Sequence, residues 1–251
     1  MSFDLTGRVA LVTGASRGLG AAMARALARH GAAIALHASR EQPADAAAKL
    51  AADHGTRTAA FAADLSKRGT GEALVAQVLD RFETIDILVN NAGIIRRADA
   101  DAYSDADWDE VLEVNLSSVF RLCRAVGAHM LRRGRGKVIN IASLLSFQGG
   151  VRVPAYAAAK GGVALLTRAL ANEWAARGVN VNAIAPGYMR TDNTRALADD
   201  PARYRQILER IPAGRWGEPD DLAGAVVFLA SPASDYVHGH VRVVDGGWMG
   251  R

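Results

Sequence analysis

Short apolar runs, each closed by a turn signal and followed by residues at helical spacing, recur along this chain from end to end. That alternation constrains the fold more than any other feature. Residues 8–13 (RVALVT) form the first run; it stops at a glycine and reads as a buried strand. Residues 18–30 then carry Ala, Met and Leu at helical spacing and are closed by Gly31. The same reasoning predicts strands at 33–37, 58–61, 85–89, 137–141, 179–184 and 240–244, with helices over 44–53, 71–82, 105–133, 154–177 and 220–230. Seven strands alternating with helices argue for a parallel sheet covered on both faces, a doubly wound Rossmann-type α/β fold. No linker, low-complexity tract or repeat interrupts the pattern, so residues 1–251 are expected to form one domain.

Composition is consistent with this and closes off other classes. At 50% hydrophobic and 22% charged residues the chain can bury a large core, which excludes disorder. No apolar run approaches the roughly 18–20 residues of a membrane span. The start, MSFDLTGRVALVTGAS, lacks the basic and long apolar regions of a signal peptide. Cys123 stands alone, so no internal disulfide is expected and a reducing cytoplasm fits. A net charge of +4 favours anionic partners, but Lys and Arg are interleaved with Asp and Glu. The densest basic cluster, Arg132, Arg133, Arg135 and Lys137, reads as a solvated turn and not as a nucleic-acid surface.

Ligands of doubly wound sheets sit outside the carboxyl ends of the strands, where strand order reverses. The residues just after each predicted strand are therefore informative. The first strand leads into Thr13-Gly14-Ala15-Ser16-Arg17-Gly18-Leu19-Gly20 and then a helix. Glycines let backbone approach a pyrophosphate, and a helix N-terminus offers free N–H groups. The spacing, Gly-xxx-Gly-x-Gly, is not the familiar GxGxxG. Asp64-Leu65 comes after the third strand, Asn90-Asn91-Ala92-Gly93 after the fourth, and Pro186-Gly187 after the sixth. Ser143 closes the fifth strand, while Tyr156 and Lys160 stand four apart on a helix and share a face. Taken alone, that pair is as readily a surface contact. A neighbouring ammonium would favour the phenolate, however, and bring a tyrosine of ordinary pKa about 10 nearer to neutral pH. Asn115, inside a predicted helix where Asn is unfavourable, asks for a reason.

In this order these motifs resemble the short-chain dehydrogenase/reductase family, in which TGxxxGxG, NNAG, Ser, Tyr-x-x-x-Lys and Pro-Gly recur. The resemblance implies an oxidoreductase whose catalytic residues are Asn115, Ser143, Tyr156 and Lys160. Tyr156 would serve as general acid or base, Ser143 would hold the carbonyl oxygen, and Asn115 would hold a water that links Lys160 to solvent. It implies NAD or NADP as cofactor, bound by Gly14, Ser16, Arg17, Gly18, Leu19 and Gly20. Ser39, Arg40, Asp64, Leu65, Asn91, Ala92 and Gly93 would line the adenosine side. Pro186, Gly187, Met189 and Thr191 would meet the nicotinamide, with Tyr156 and Lys160 beside it. Which dinucleotide is bound stays open: Ala38 stands where an acid would grip a ribose hydroxyl, and Arg17 and Arg40 could accommodate a phosphate.

The strings NNAGIIRR, NEWAARGVNVNAIAPGYM and RIPAGRWGEP further resemble the 2-keto-3-deoxygluconate dehydrogenase branch of that family, which serves pectin and uronate breakdown. This branch implies a small anionic sugar-acid substrate, with Arg152 or Arg96 for its carboxylate and Gln148 for a hydroxyl. A lid around residues 188–215 and a homotetramer are also implied, the apolar C-terminal end around Trp248 being covered by a neighbour. No metal is expected, since the six histidines show no ligand spacing. Two other readings remain open: a 3-oxoacyl-carrier-protein reductase with the Arg132–Lys137 cluster as docking face, and a non-catalytic nucleotide sensor or nucleic-acid binder.

Overall fold

The computed structural model describes residues 3–251. β1 (Val9–Val12), β2 (Ala33–Ala38), β3 (Thr58–Ala62), β4 (Ile87–Asn90), β5 (Gly136–Ile141), β6 (Val179–Pro186) and β7 (Val241–Val244) build one sheet. Its order is β3-β2-β1-β4-β5-β6-β7, and every neighbouring pair is parallel. Parallel neighbours need long crossovers, and helices supply them. These are α1 (Gly18–Arg29), α2 (Ala44–His54), α3 (Thr70–Phe82), α4 (Asp105–Leu112), α5 (Ser118–Arg133) and α6 (Pro154–Trp174). Two short helices, α7 (Asp192–Ala198) and α8 (Pro201–Leu208), precede α9 (Ala223–Ala230).

Both faces of the sheet are covered, so its strands are apolar on both sides. Along β1, Leu11 faces a core shared with Leu74 and Val78 of α3, Leu122 of α5 and Val163 of α6. Its neighbours Ala10 and Val12 face the opposite core, with Met23 and Leu27 of α1 and Val226 of α9. Truncating a fully buried leucine such as Leu27 or Leu122 to alanine is expected to cost about 2–5 kcal/mol. Cys123 is fully buried and its thiol is pushed up to about 12, which leaves it protonated and inert. Among the described residues no helix is long and apolar enough to cross a membrane.

The chain runs from β1 outward through β2 and β3, then returns to place β4 on the other side of β1. A crevice therefore opens between the carboxyl ends of β1 and β4. The predicted helix over 105–133 is split: α4 passes through a π turn, Glu113–Ser117, into α5. Asn115 lies in that turn, where its side-chain amide donates to Val111 O at 2.9 Å. A π turn of this kind is common at functional positions. The helices α7 and α8 are not among those the sequence predicts, because their short polar stretches carry little periodicity. A separate small core of Leu144, Ile207, Ile211, Trp216 and Trp248 supports them. Trp248 is 5% exposed within its own chain, so it is not the uncovered apolar end expected from the sequence.

Candidate active site

Two cavities meet at the carboxyl edge of the sheet. The first, about 440 Å³, begins at the loop between β1 and α1, where Gly14, Ser16, Arg17, Gly18, Leu19 and Gly20 all line it. Gly14 sits at φ +63°, and a Cβ on Gly20 would overlap the Gly14 carbonyl and the Asn91 amide, so the turn accepts only glycine there. Arg17 precedes α1 without capping it, leaving the first-turn N–H groups of a twelve-residue helix free of side-chain partners. That cradle suits a pyrophosphate. The loop after β4 is stitched to it: Asn91 Nδ2 donates to Thr13 O and Gly14 O at 2.9 and 3.0 Å, and Asn91 N donates to Thr13 Oγ1.

Ser39, Arg40, Asp64, Leu65, Asn91, Ala92 and Gly93 line the same cavity. Asp64 accepts from the Ser66 hydroxyl at 2.6 Å, which holds its carboxyl below the usual range and keeps it ionised. Arg17 is ion-paired with Asp192 of α7, so the glycine loop is tied to that helix. Ala38 ends β2 without an acid beside it. His37, absent from the sequence-derived candidates, is 1% exposed under the glycine loop. Its Nδ1 accepts the Gly14 N–H at 3.3 Å while Nε2 meets Ala63 O at 2.9 Å, which requires the neutral Nε2–H tautomer. A lone polar residue at an apolar strand end is the signal that could have found it.

Tyr156 borders both cavities, as do Leu19, Ile141, Thr191 and Asn193, so the cavities adjoin at its ring. Ser143 faces it from the second cavity and Lys160 from the first. Ser143 caps a short turn, Leu144–Ser146, accepting from Leu145 N at 3.2 Å. The Ser146 hydroxyl donates to the Lys160 carbonyl at 2.6 Å, which locks this turn to α6. Lys160 Nζ donates to Ile141 O at 2.6 Å and stands 5.6 Å from the Tyr156 ring centre. Burial pushes the lysine down to about 8. The expected lowering of the Tyr156 pKa by its lysine is absent in the free protein. Burial raises it, opposed by a hydrogen bond from Ser143 and by the charge of Arg97. Asn115 is fully buried; its amide donates to Ile94 O and its Oδ1 accepts Ile94 N, so it holds the loop after β4.

The second cavity, about 530 Å³, lies beneath α7 and α8. Pro186, Gly187 and Met189 line this one and not the first, whereas Thr191 lines both. Gln148 lines it and accepts from Trp248 Nε1 at 3.4 Å. The two arginines expected for a carboxylate do not reach it. Arg96 turns into the first cavity and pairs with Glu110 at 2.8 Å and Asp107 at 3.5 Å. Arg152, at φ +64°, points outward to Asp99 at 3.0 Å and lines neither cavity. Arg97, Arg203 and Arg210 line it instead, and among the described residues no Asp or Glu does. The i, i+3 spacing of Arg203 and Gln206 could have shown that pair, but only once α8 was recognised as a helix; Arg210 follows in the turn after it. Tyr188 and Trp248 line the second cavity, and their rings belong to a cluster with Tyr204 and Trp216 whose contacting ring centres are 4.7–5.5 Å apart.

Comparison with known proteins agrees with this arrangement. Residues 14–249 match a family model described as enoyl-(acyl carrier protein) reductase. The 2-dehydro-3-deoxy-D-gluconate 5-dehydrogenase of Bacillus subtilis is 52% identical, over 100% of this chain and 98% of its own. A structure from Agrobacterium tumefaciens, assigned as a 2-deoxy-D-gluconate 3-dehydrogenase with bound NADP, is 55% identical over 99% of both chains, with a TM-score of 0.92. A gluconate 5-dehydrogenase from Burkholderia cenocepacia, solved with NADP and tartrate, is 44% identical over 99% of this chain and 98% of its own, with a TM-score of 0.93. By sequence, fold and the arrangement at the sheet edge, the chain belongs to the short-chain dehydrogenase/reductase family, a family of NAD(P)-dependent oxidoreductases.

Proposed function

We propose that this protein interconverts a secondary hydroxyl and a ketone on a small sugar acid, of the 2-keto-3-deoxygluconate and 2,5-diketo-3-deoxygluconate type. The observation that carries the reading is the position of Tyr156: a proton-transfer group where a dinucleotide-shaped cleft adjoins an acid-free pocket lined by arginines. Curated relatives more than 50% identical along the whole chain act on this class of substrate.

When bound, the nicotinamide gives or takes the hydride. The chain supplies the rest. Ser143 Oγ holds the substrate oxygen, and Tyr156 gives a proton to that oxygen in reduction or takes it in oxidation. Lys160, one turn on, presents positive charge beside the ring and favours the phenolate as it forms. Asn115 keeps the loop after β4 in place and belongs to a water-linked proton path from Lys160. The glycine loop and α1 hold the pyrophosphate, Asp64 and Leu65 the adenine, and Thr191 and Met189 the nicotinamide amide. With no acid after β2 and Arg40 in the cavity wall without an ion-pair partner among the described residues, a 2′-phosphate is accommodated and NADP is accepted.

The 251 residues act as one catalytic domain with 188–215 as substrate lid. Exposed Phe120 on α5 and Leu165 on α6 support assembly of copies, as a homotetramer. A cytoplasmic place in uronate breakdown completes the reading. Against carrier-protein docking, Arg133 of the basic cluster is already paired with Asp86 at 2.9 Å and Lys137 with Asp235 at 2.6 Å. The test is oxidation of 2-keto-3-deoxygluconate by the purified protein with NAD⁺ and, separately, NADP⁺, followed by absorbance of the reduced nicotinamide. Turnover with either establishes the substrate, and the ratio gives the cofactor preference. Failure with both, alongside reduction of a neutral diketone, would discard the substrate and keep the reaction class.

A further inference from the structure

We propose that Arg203 and Arg210, with Gln206 between them, form the carboxylate-binding face of the substrate cavity, so that α8 and the turn after it select an acid. The inference rests on the sugar-acid reading and names the residues that impose it. Arg203 and Gln206, at i and i+3, share one side of α8, Arg210 follows in the turn after it, and all three line the second cavity.

What sets these arginines apart is the company they keep. Arg17 pairs with Asp192, Arg96 with Glu110 and Arg152 with Asp99. Arg203 instead donates to the neutral Gln206 Oε1 at 3.1 Å, and Arg210 lies 4.0 Å over the Trp248 ring. Stacking on an indole orients a guanidinium without neutralising it. Asp200, the N-cap of α8, is engaged in capping the helix, accepting from Ala202 N and Arg203 N at 3.0 and 3.1 Å, and among the described residues neither Arg203 nor Arg210 has an ion-pair partner. These two positive groups therefore face the cavity unpaired. They are exposed, but their base is fixed, because Ile207 and Ile211 are 2% and 4% exposed in the small core with Trp216. Planar guanidinium groups bind a carboxylate bidentately, and the Gln206 amide can serve a neighbouring hydroxyl.

Arg97 lines the same cavity from the loop after β4, where it donates to Asn193 O at 2.9 Å.

The experiment compares kcat/KM for 2-keto-3-deoxygluconate and for its methyl ester in the wild type and in Arg203→Gln/Arg210→Gln, with tartrate as a competing hydroxy acid. The wild type should prefer the acid. In the double variant the acid-to-ester ratio should fall about 100-fold, through KM, and the tartrate inhibition constant should rise in parallel. Arg203→Lys/Arg210→Lys, which keeps charge and bulk, should recover part of the ratio; dinucleotide affinity and Tm certify that each variant is folded. A wild-type preference for the acid that survives in the double variant would overturn the assignment and leave the sugar-acid reading intact. No preference for the acid in the wild type would overturn both.

Discussion

The two cavities that meet at Tyr156 are walled by different materials. The dinucleotide side is largely main chain at strand ends, pinned by bonds with fixed partners: Asn91 to Thr13 and Gly14, His37 to Gly14, and Asn115 to Ile94. The substrate side is largely side chain, with Gln148 reaching in from the loop between β5 and α6, and Arg203, Gln206 and Arg210 from α8 and the turn after it, which rest on a five-residue core. Backbone recognition leaves few acceptable residues at each position, while side-chain recognition can be rewritten one residue at a time. The chemistry stands at the boundary, so the two kinds of recognition can vary independently of it.

The sharpest way to break that division is at Tyr156 itself. Tyr156→Phe should lower kcat by about 10³-fold or more while leaving dinucleotide affinity within about threefold, because the hydroxyl is needed for proton transfer and not for the cavity wall. Residual activity within tenfold of the wild type would move the proton-transfer role elsewhere. Gly20→Ala tests the backbone side. Its methyl would meet the Gly14 carbonyl, which cannot yield without moving the loop. Dinucleotide affinity should fall about 100-fold, a loss of the size seen when a buried site is misshapen, with the acid-to-ester ratio unchanged. A shift in that ratio would show that the two sides are coupled.

His37 offers a smaller and graded probe of the same side. Burial holds its folded pKa below the ordinary 6.5, with the bond to Ala63 O opposing. The unfolded chain therefore binds a proton at a pH where the folded one resists it. The stability this group contributes is complete above about 6.5 and is lost as pH falls through that value toward the folded pKa. A protonated ring also cannot accept the Gly14 N–H. Between pH 7.5 and 5.5, Tm and dinucleotide affinity should decline together, by a few-fold in affinity, and His37→Asn should flatten the affinity curve. A curve unchanged by the substitution would assign the decline to another group.

The same division explains what could be read from the sequence. Strand ends and glycine loops are local: Gly14 to Gly20, Asn90 to Gly93 and Tyr156 with Lys160 show themselves as short strings at periodic breaks, and the sheet order agrees with the alternation. The π turn at Asn115 was legible only as an oddity, because a single inserted residue leaves the helical period nearly intact. Helices α7 and α8 were illegible, since they are short, polar and supported by residues far away in the chain, Leu144 and Trp248 among them. Sequence proximity to the motifs favoured Arg96 and Arg152 for a carboxylate, whereas α8 and the turn after it bring Arg203 and Arg210 to the second cavity.

The smallest effect discriminates between those two pairs. Arg152 lies four residues before Tyr156, yet its side chain is directed away, to the exposed Asp99. An exposed ion pair of this kind contributes little to stability. Arg152→Gln should therefore change the acid-to-ester ratio by less than about twofold and leave Tm nearly unmoved, since Gln keeps the strain of a positive φ and loses only that pair. The measurement is the same pair of kinetic assays used for α8. A large loss of acid preference here, matching that of the Arg203 and Arg210 variants, would mean that the loop after Ser143 swings inward when substrate binds. Recognition would then be shared between lid and loop, and the substrate cavity would owe its selectivity to motion as well as to α8.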